Sequence, residues 1–155
     1  YGCRKISFDE LIRQADVVFI QAPLTHETRH MFDAAVLDAM KPSAILVNTA
    51  RGPIIDNEAL FRALSDGTIR GAALDDLEEE PAKQENWTAC NLLLRLKNLL
   101  ISPHSAYYSE ESIREARETA ASEVARVLSK VSPKHIVNAE VLRSSKLRWT
   151  PLQKS

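Results

Sequence analysis

The chain has 155 residues, of which 45 % are hydrophobic, and its 20 lysines and arginines nearly balance its 21 aspartates and glutamates. This composition is typical of a soluble globular protein of about one domain, and it excludes disordered and fibrous classes. The net charge of −1 excludes the basic field that attracts proteins to nucleic acids or anionic lipids. No apolar run approaches the ~18 residues of a membrane span, and Cys3 and Cys90 have no metal-ligand spacing. We therefore expect a cytoplasmic protein with no nucleic-acid partner, no membrane contact and no metal.

Helix and strand signals alternate along the first part of the chain. Residues 7–10 (SFDE) fit a capping box that opens a short helix. Two unbroken apolar runs, 17–20 and 45–47, predict strands, and between them a helix over 34–40 has Asp33 as its candidate cap. Apolar runs of this kind are typical of strands buried on both faces, as in a parallel sheet covered by helices.

The same alternation continues toward the C-terminus. Asp56 is the candidate cap of a helix that Gly67 ends, and strands are predicted over 69–74 and 99–101. The polar stretch 78–91 between these two strands predicts a loop.

The last predicted element is a long helix from Ser109 to about Lys130, followed by a basic tail over 143–155. Apolar residues recur on one face of this helix at 3.6-residue spacing, which predicts a packing element. They are Ile113, Ala116, Ala120, Val124, Val127 and Leu128.

Strands joined by helices through short connections predict a parallel sheet with right-handed crossovers. Ligands of such sheets bind beyond the carboxyl ends of the strands. Chemically distinctive residues follow all four predicted strands, at 22–25, 48–52, Asp75 and 102–104. We expect these segments to meet at one edge of the sheet.

Three motifs at this edge carry a family resemblance: residues 48–52 (NTARG), 71–75 (GAALD) with Glu80-Pro81, and 102–104 (SPH). In their order and approximate spacing they resemble the D-isomer-specific 2-hydroxyacid dehydrogenases, over about residues 7–142. The resemblance implies an α/β fold, the C-terminal half of a Rossmann-type doubly wound parallel sheet followed by a long C-terminal helix.

The resemblance also implies a division of the chain. Residues 1–130 would form the C-terminal part of a dinucleotide-binding domain with its crossing helix, and 131–155 would return toward a substrate domain. The four glycines cannot supply the G-x-G-x-x-G fingerprint that cradles a pyrophosphate. We therefore expect the 155 residues to be part of an oxidoreductase and to be inactive alone.

By motif position, the resemblance implies that Arg51, Glu80 and His104 are the catalytic residues. Their chemistry agrees with the reduction of a 2-keto acid. An arginine guanidinium binds a carboxylate through two parallel hydrogen bonds and polarises the neighbouring carbonyl. A His titrates near working pH and can protonate the carbonyl oxygen, and a carboxylate beside it favours the imidazolium.

The implied cofactor is NAD, with NADP left open, and the implied partners are a small 2-keto or 2-hydroxy acid and a second subunit in a homodimer. Asp75 resembles the family's contact to the nicotinamide region. The full set of predicted cofactor contacts is Ala22, Pro23, Leu24, Thr28, Thr49, Ala50, Arg51, Asp75, His104 and Tyr107.

Each assignment has a simpler alternative. His104 and Arg51 could be turn residues, and Glu80 could belong to a solvated charge run over 78–80. Tyr107 could pack at a helix start instead of lining the site, and His30 is expected to be solvated. The alternative functions are an NAD(H)-sensing interaction protein, similar to the C-terminal-binding-protein corepressors and suggested by Tyr107, and an inactive truncated chain.

Overall fold

The computed structural model describes residues 2–78 and 91–144, and the chain divides into two compact units, Tyr1–Ala106 and Tyr107–Ser155. In the first unit, four strands form one sheet in the order β1-β2-β3-β4. All three neighbouring pairs are parallel. The strands are Val17–Ile20 (β1), Ile45–Asn48 (β2), Gly71–Leu74 (β3) and Leu99–Ile101 (β4). The predicted α/β class with a parallel sheet is confirmed.

A short helix precedes each of the first three strands: Phe8–Gln14 (α1), Ala34–Asp38 (α2) and Asn57–Ser65 (α3). The three predicted caps are present, because Ser7, Asp33 and Asp56 each accept a hydrogen bond from a backbone N–H in the first turn. Short 3₁₀ turns cover Gly52–Ile54, Leu92–Arg95 and Ala139–Arg143.

Three local predictions need correction. The capping box of α1 is half formed, because the Glu10 carboxylate accepts from Arg4 Nη2 at 3.1 Å and leaves the Ser7 cap unreciprocated. Helix α2 ends at Asp38 and not at residue 40, since the Met40 N–H turns back to Leu37 at 3.2 Å. Strand β3 begins at Gly71 and not at residue 69, since the Ile69 N–H donates to the end of α3.

The hydrophobic core of the first unit lies on one face of the sheet. Alternate strand residues point into it, among them Val18, Leu46 and Leu74. The helices contribute Ile12, Leu37, Leu60 and further apolar residues to the same cluster. Burial of these side chains supplies the hydrophobic free energy that holds α1, α2 and α3 on the sheet.

The opposite face is open, which corrects the prediction that both faces of the apolar strands are buried. Val17 and Phe19 of β1 are each 56 % exposed, and Leu100 of β4 is 70 % exposed. The apolar run was uninterrupted, so it indicated two covered faces, but the described helices of this unit bury alternate residues only.

The second unit contains the predicted long helix, which spans Glu110–Leu128 (α4). Its N-terminus carries a reciprocal capping box in which Ser109 and Ser112 each bond the other's backbone N–H at 3.0 Å. No residue of α4 is buried, and Val124 and Leu128 of its apolar stripe are 59 % and 79 % exposed. The division between residues 1–130 and 131–155 stays a prediction. Across 2–78 and 91–144, no helix has the length and apolar content needed to cross a bilayer.

One matched pair of substitutions tests the difference in burial between the two faces of the sheet. Leu46→Ala should lower the free energy of unfolding by about 2–5 kcal/mol, because Leu46 is fully buried. Leu100→Ala should cost less than about 1 kcal/mol, because most of its side chain already contacts solvent. Urea unfolding measures both values, and an equal cost at the two positions would mean that the second face is covered in solution.

Candidate functional site

The carboxyl ends of the four strands lie side by side. The register pairs Ile20 with Asn48, Asn48 with Leu74, and Leu74 with Ile101. The segments that follow these residues therefore begin at one edge of the sheet, as predicted. Since neighbouring strands are roughly 4.8 Å apart, the segments carrying Arg51 and His104 start roughly 10 Å apart, on either side of β3.

The loop after β2 is held by the side chain of Asn48, which is fully buried. Its Nδ2 donates to the Arg51 carbonyl at 2.9 Å, and its Oδ1 accepts from the Ala50 N–H at 3.0 Å. An amide satisfies both partners because it carries a donor and an acceptor. The loop thereby presents the Arg51 side chain to solvent, with Nη1 donating to the Ala50 carbonyl at 2.7 Å.

Gly52 allows the chain after β3 to pass directly against this loop. A Cβ at this position would lie 2.2 Å from the Leu77 carbonyl carbon, which no side chain can do without moving the backbone. The Gly52 N–H donates to Asp76 Oδ2 at 3.2 Å. The residue that follows Arg51 is therefore fixed against the end of β3.

The loop after β4 is held by the Asp75 carboxylate, which is 4 % exposed. Asp75 Oδ1 accepts from the Ser102 hydroxyl and from the Ser105 N–H at 2.9 Å. Asp75 Oδ2 accepts from the Ala106 N–H at 2.8 Å. Within this loop His104 is half-buried and has a φ of 49°, a left-handed conformation that is unusual for a residue with a side chain. The three bonds to Asp75 hold the loop in which that conformation occurs.

These contacts determine the direction in which the pKa of the Asp75 carboxyl group is shifted. Burial by itself would raise the pKa of the carboxyl group. The hydrogen bonds from Ser102, Ala106 and Ser105, with a smaller electrostatic contribution from His104, outweigh burial and hold the pKa below its usual value. Asp75 is therefore an anion at neutral pH.

The first two loops of the edge are also joined. Gln21 Nε2, just beyond β1, donates to the Thr49 hydroxyl at 2.8 Å. Thr28, a predicted cofactor contact, uses its hydroxyl inside its own loop, where it donates to the Pro23 carbonyl and accepts from the Thr25 N–H, both at 2.7 Å. A small cavity of about 50 Å³ opens beside Thr49, Asp75 and Ser102.

His30, expected to be solvated, has a side chain that is 40 % exposed but also contacts Glu78. His30 is half-buried with a φ of 52°, and its Nε2 lies 2.5 Å from Glu78 Oε1, which also accepts from Arg29 Nη2 at 3.1 Å. The sequence gave no signal for this contact, because the partners are 48 positions apart.

Two predicted site residues lie outside the described part of the first unit. Glu80 lies outside the described residues. Tyr107 belongs to the second unit, where it is 65 % exposed and its ring packs edge-on to that of Tyr108. Of the remaining predicted contacts, Ala22 and Ala50 are half-buried, whereas Pro23 and Leu24 are exposed. The roles of all these residues stay predictions.

Sequence reasoning missed the residues that shape the edge. Asn48 lies in the motif 48–52 but was itself assigned no role. An Asn between a buried strand and a turn is nevertheless a recognisable signal for an Asx turn. Asp76 directly follows the motif 71–75 and was assigned no role, and its contact with Gly52 spans 24 positions.

A sequence profile for the NAD binding domain of D-isomer specific 2-hydroxyacid dehydrogenases matches residues 1–106. A glyoxylate reductase of Thermococcus litoralis is 40 % identical over 148 residues, covering 93 % of this chain and 42 % of that protein. The NAD-complexed D-isomer specific 2-hydroxyacid dehydrogenase of Lactobacillus delbrueckii ssp. bulgaricus gives a TM-score of 0.74 at 35 % identity, over 86 % of this chain and 43 % of that one. A D-lactate dehydrogenase from Aquifex aeolicus, complexed with NAD and lactic acid, gives 0.71 at 35 % identity, over 82 % and 41 %.

The parallel sheet and its polar carboxyl edge define an α/β domain of the nucleotide-binding type. The profile match covers well over half of the 155 residues, and the chain belongs to the D-isomer specific 2-hydroxyacid dehydrogenase family, as a member of its NAD-binding domains. It spans 41–43 % of the length of the three relatives named above.

The lowered pKa of Asp75 predicts how stability depends on pH. The contribution of this carboxylate is fully present above pH about 4, the pKa of an unfolded Asp, and is lost as the pH falls through the lower pKa of the folded state. Asp75→Asn places an NH₂ group where a carboxylate oxygen accepts hydrogen bonds from the loop. It should therefore lower the free energy of unfolding by about 1–3 kcal/mol at pH 7. Urea unfolding of both proteins should show this difference shrinking below pH 4, and a difference independent of pH would contradict the assignment.

Proposed function

We propose that the whole protein transfers a hydride between NAD(H) and a small 2-keto or 2-hydroxy acid. The observation that carries the proposal is the arrangement at one sheet edge, where loops bearing a guanidinium and an imidazole flank the end of β3. Family membership supports the reaction class. Glyoxylate reductases and a D-lactate dehydrogenase are among the similar proteins, and each name describes a reaction of this kind.

The residues of the edge fit the nicotinamide end of NAD. An ionised carboxylate offers about four acceptor positions, and three on Asp75 are taken by Ser102, Ser105 and Ala106. One position remains for an amide donor such as the nicotinamide carboxamide. The cavity of about 50 Å³ beside Asp75 is also lined by Thr49, which adds a hydroxyl. When bound, NAD(H) supplies the hydride, and the protein supplies orientation.

Arg51 is proposed to bind the substrate carboxylate. Its exposed guanidinium presents paired N–H donors that match a carboxylate bidentately, and the same charge draws electron density from the adjacent carbonyl. Buried Asn48 already holds the backbone of the loop in place. The loop backbone therefore loses little conformational freedom when the substrate binds.

His104 is proposed to be the acid–base residue. In the direction of reduction it donates a proton to the carbonyl oxygen, and in the direction of oxidation it removes the hydroxyl proton. The nearby Asp75 anion favours the protonated imidazole. Glu80 is proposed to orient His104 and to stabilise its charge further, as the family motif implies.

Substitution of these residues tests the proposal in the whole protein, with NADH and glyoxylate as reactants. His104→Ala should lower kcat by about 10²–10⁴-fold, because it removes the proton donor. Arg51→Lys should raise KM for glyoxylate, because a point charge replaces a bidentate fork. His135→Ala is the matched control, since His135 is exposed in the second unit and should leave the turnover unchanged.

Near-normal turnover by His104→Ala would refute the acid–base role. A different result would favour the alternative function: tight NADH binding by the wild-type protein with negligible turnover over a panel of 2-keto acids would indicate a nucleotide sensor. The family resemblance also implies a homodimer, and light scattering that gives the mass of a monomer would contradict it.

A further inference from the structure

Two consecutive buried carboxylates follow the last residue of β3. Asp75 is 4 % exposed and Asp76 is 7 % exposed, and with Asn48 they make up the buried polar residues of the described part of the chain. Burying a carboxylate is costly unless it accepts hydrogen bonds. Each of the two therefore needs partners, and the partners lie on opposite sides of β3.

Asp76 acts on the loop that carries Arg51. Its Oδ2 accepts from the N–H of Gly52, which belongs to the peptide group that joins Arg51 to Gly52. The carbonyl oxygen of the same peptide group accepts from Asn48 Nδ2 at 2.9 Å. Both polar atoms of this peptide group are thus bound to buried side chains, which fixes the orientation of the backbone at Arg51.

Asp75 acts in the same way on the loop that carries His104. The Ser105 N–H, which belongs to the peptide group directly after His104, donates to Asp75 Oδ1 at 2.9 Å. The next N–H, that of Ala106, donates to Asp75 Oδ2 at 2.8 Å. In both loops, therefore, the peptide group after the candidate catalytic residue donates its N–H to a carboxylate at the end of β3.

We propose that Asp76 is a positioning residue for Arg51, as Asp75 is for His104, and that the two carboxylates together set the separation of guanidinium and imidazole across β3. The inference rests on the proposed function and deepens it. Because β3 lies between β2 and β4, a single rigid segment holds both loops. The hydrogen bonds from Gly52, Ser105 and Ala106 to this segment therefore limit changes in the separation.

The two neighbouring residues should give different kinetic defects. Asp76→Ala should raise KM for glyoxylate about 10- to 100-fold, because a misplaced guanidinium holds the carboxylate poorly, while the Kd of NADH stays within about threefold. Asp75→Ala should lower kcat and shift its pH profile, because it disturbs His104, and it should also raise the Kd of NADH, because it removes the proposed acceptor of the nicotinamide carboxamide. Asp38→Ala, which removes an exposed carboxylate of α2, is the control and should match the wild type.

A conservative variant separates positioning from charge. Asp76→Asn keeps an oxygen that can accept from the Gly52 N–H, so its KM for glyoxylate should lie much closer to the wild-type value than that of Asp76→Ala. A normal KM in Asp76→Ala, or an equal defect in Asp76→Asn and Asp76→Ala, would overturn the proposal.

Hydrogen exchange in the wild-type protein gives a readout that needs no activity and no stable variant. The amides of Gly52 and Ser105 lie in loops, yet both should exchange much more slowly than in an unstructured peptide, and free exchange at Gly52 would overturn the proposal. If the wild-type protein reduces no 2-keto acid, the proposed function fails, while protection at both amides would still support the placement of the two loops by Asp75 and Asp76.

Discussion

At the end of β3, the buried anion of Asp75 collects three hydrogen bonds from the loop that follows β4. The candidate site depends on this contact, because the loop holds His104 in a left-handed conformation that the backbone would not favour alone. The contact requires β3 and β4 to be parallel neighbours in the observed register, with Leu74 beside Ile101. The topology of the sheet and the geometry of the site are thus set by the same pairing.

The sheet of the first unit packs against the described helices on one of its two faces. All of the buried strand residues of β1 face the helices, whereas Val17 and Phe19 face outward. The core therefore stabilises these strands from one side. Three buried polar side chains hold the loops of the carboxyl edge in place: Asn48, Asp75 and Asp76.

The sequence predicted the parts of this structure that depend on neighbouring residues. Ser7, Asp33 and Asp56 cap helices as expected, because capping joins residues two or three positions apart. The meeting of the strand-end segments was predictable from the strand–helix alternation. The contacts of Asp76 with Gly52 and of His30 with Glu78 were not, because they join residues 24 and 48 positions apart whose types carry no pairing signal.

The central claim is that one edge of the sheet holds both the substrate carboxylate and the reacting carbonyl. A crystal structure of the whole protein with NADH and oxamate, an unreactive isostere of a 2-keto acid, tests it most directly. The account predicts that the Arg51 guanidinium contacts the oxamate carboxylate, and that a ring nitrogen of His104 lies within hydrogen-bond distance of the neighbouring carbonyl oxygen. Oxamate bound away from this edge, or bound there without contact to either side chain, would contradict the account.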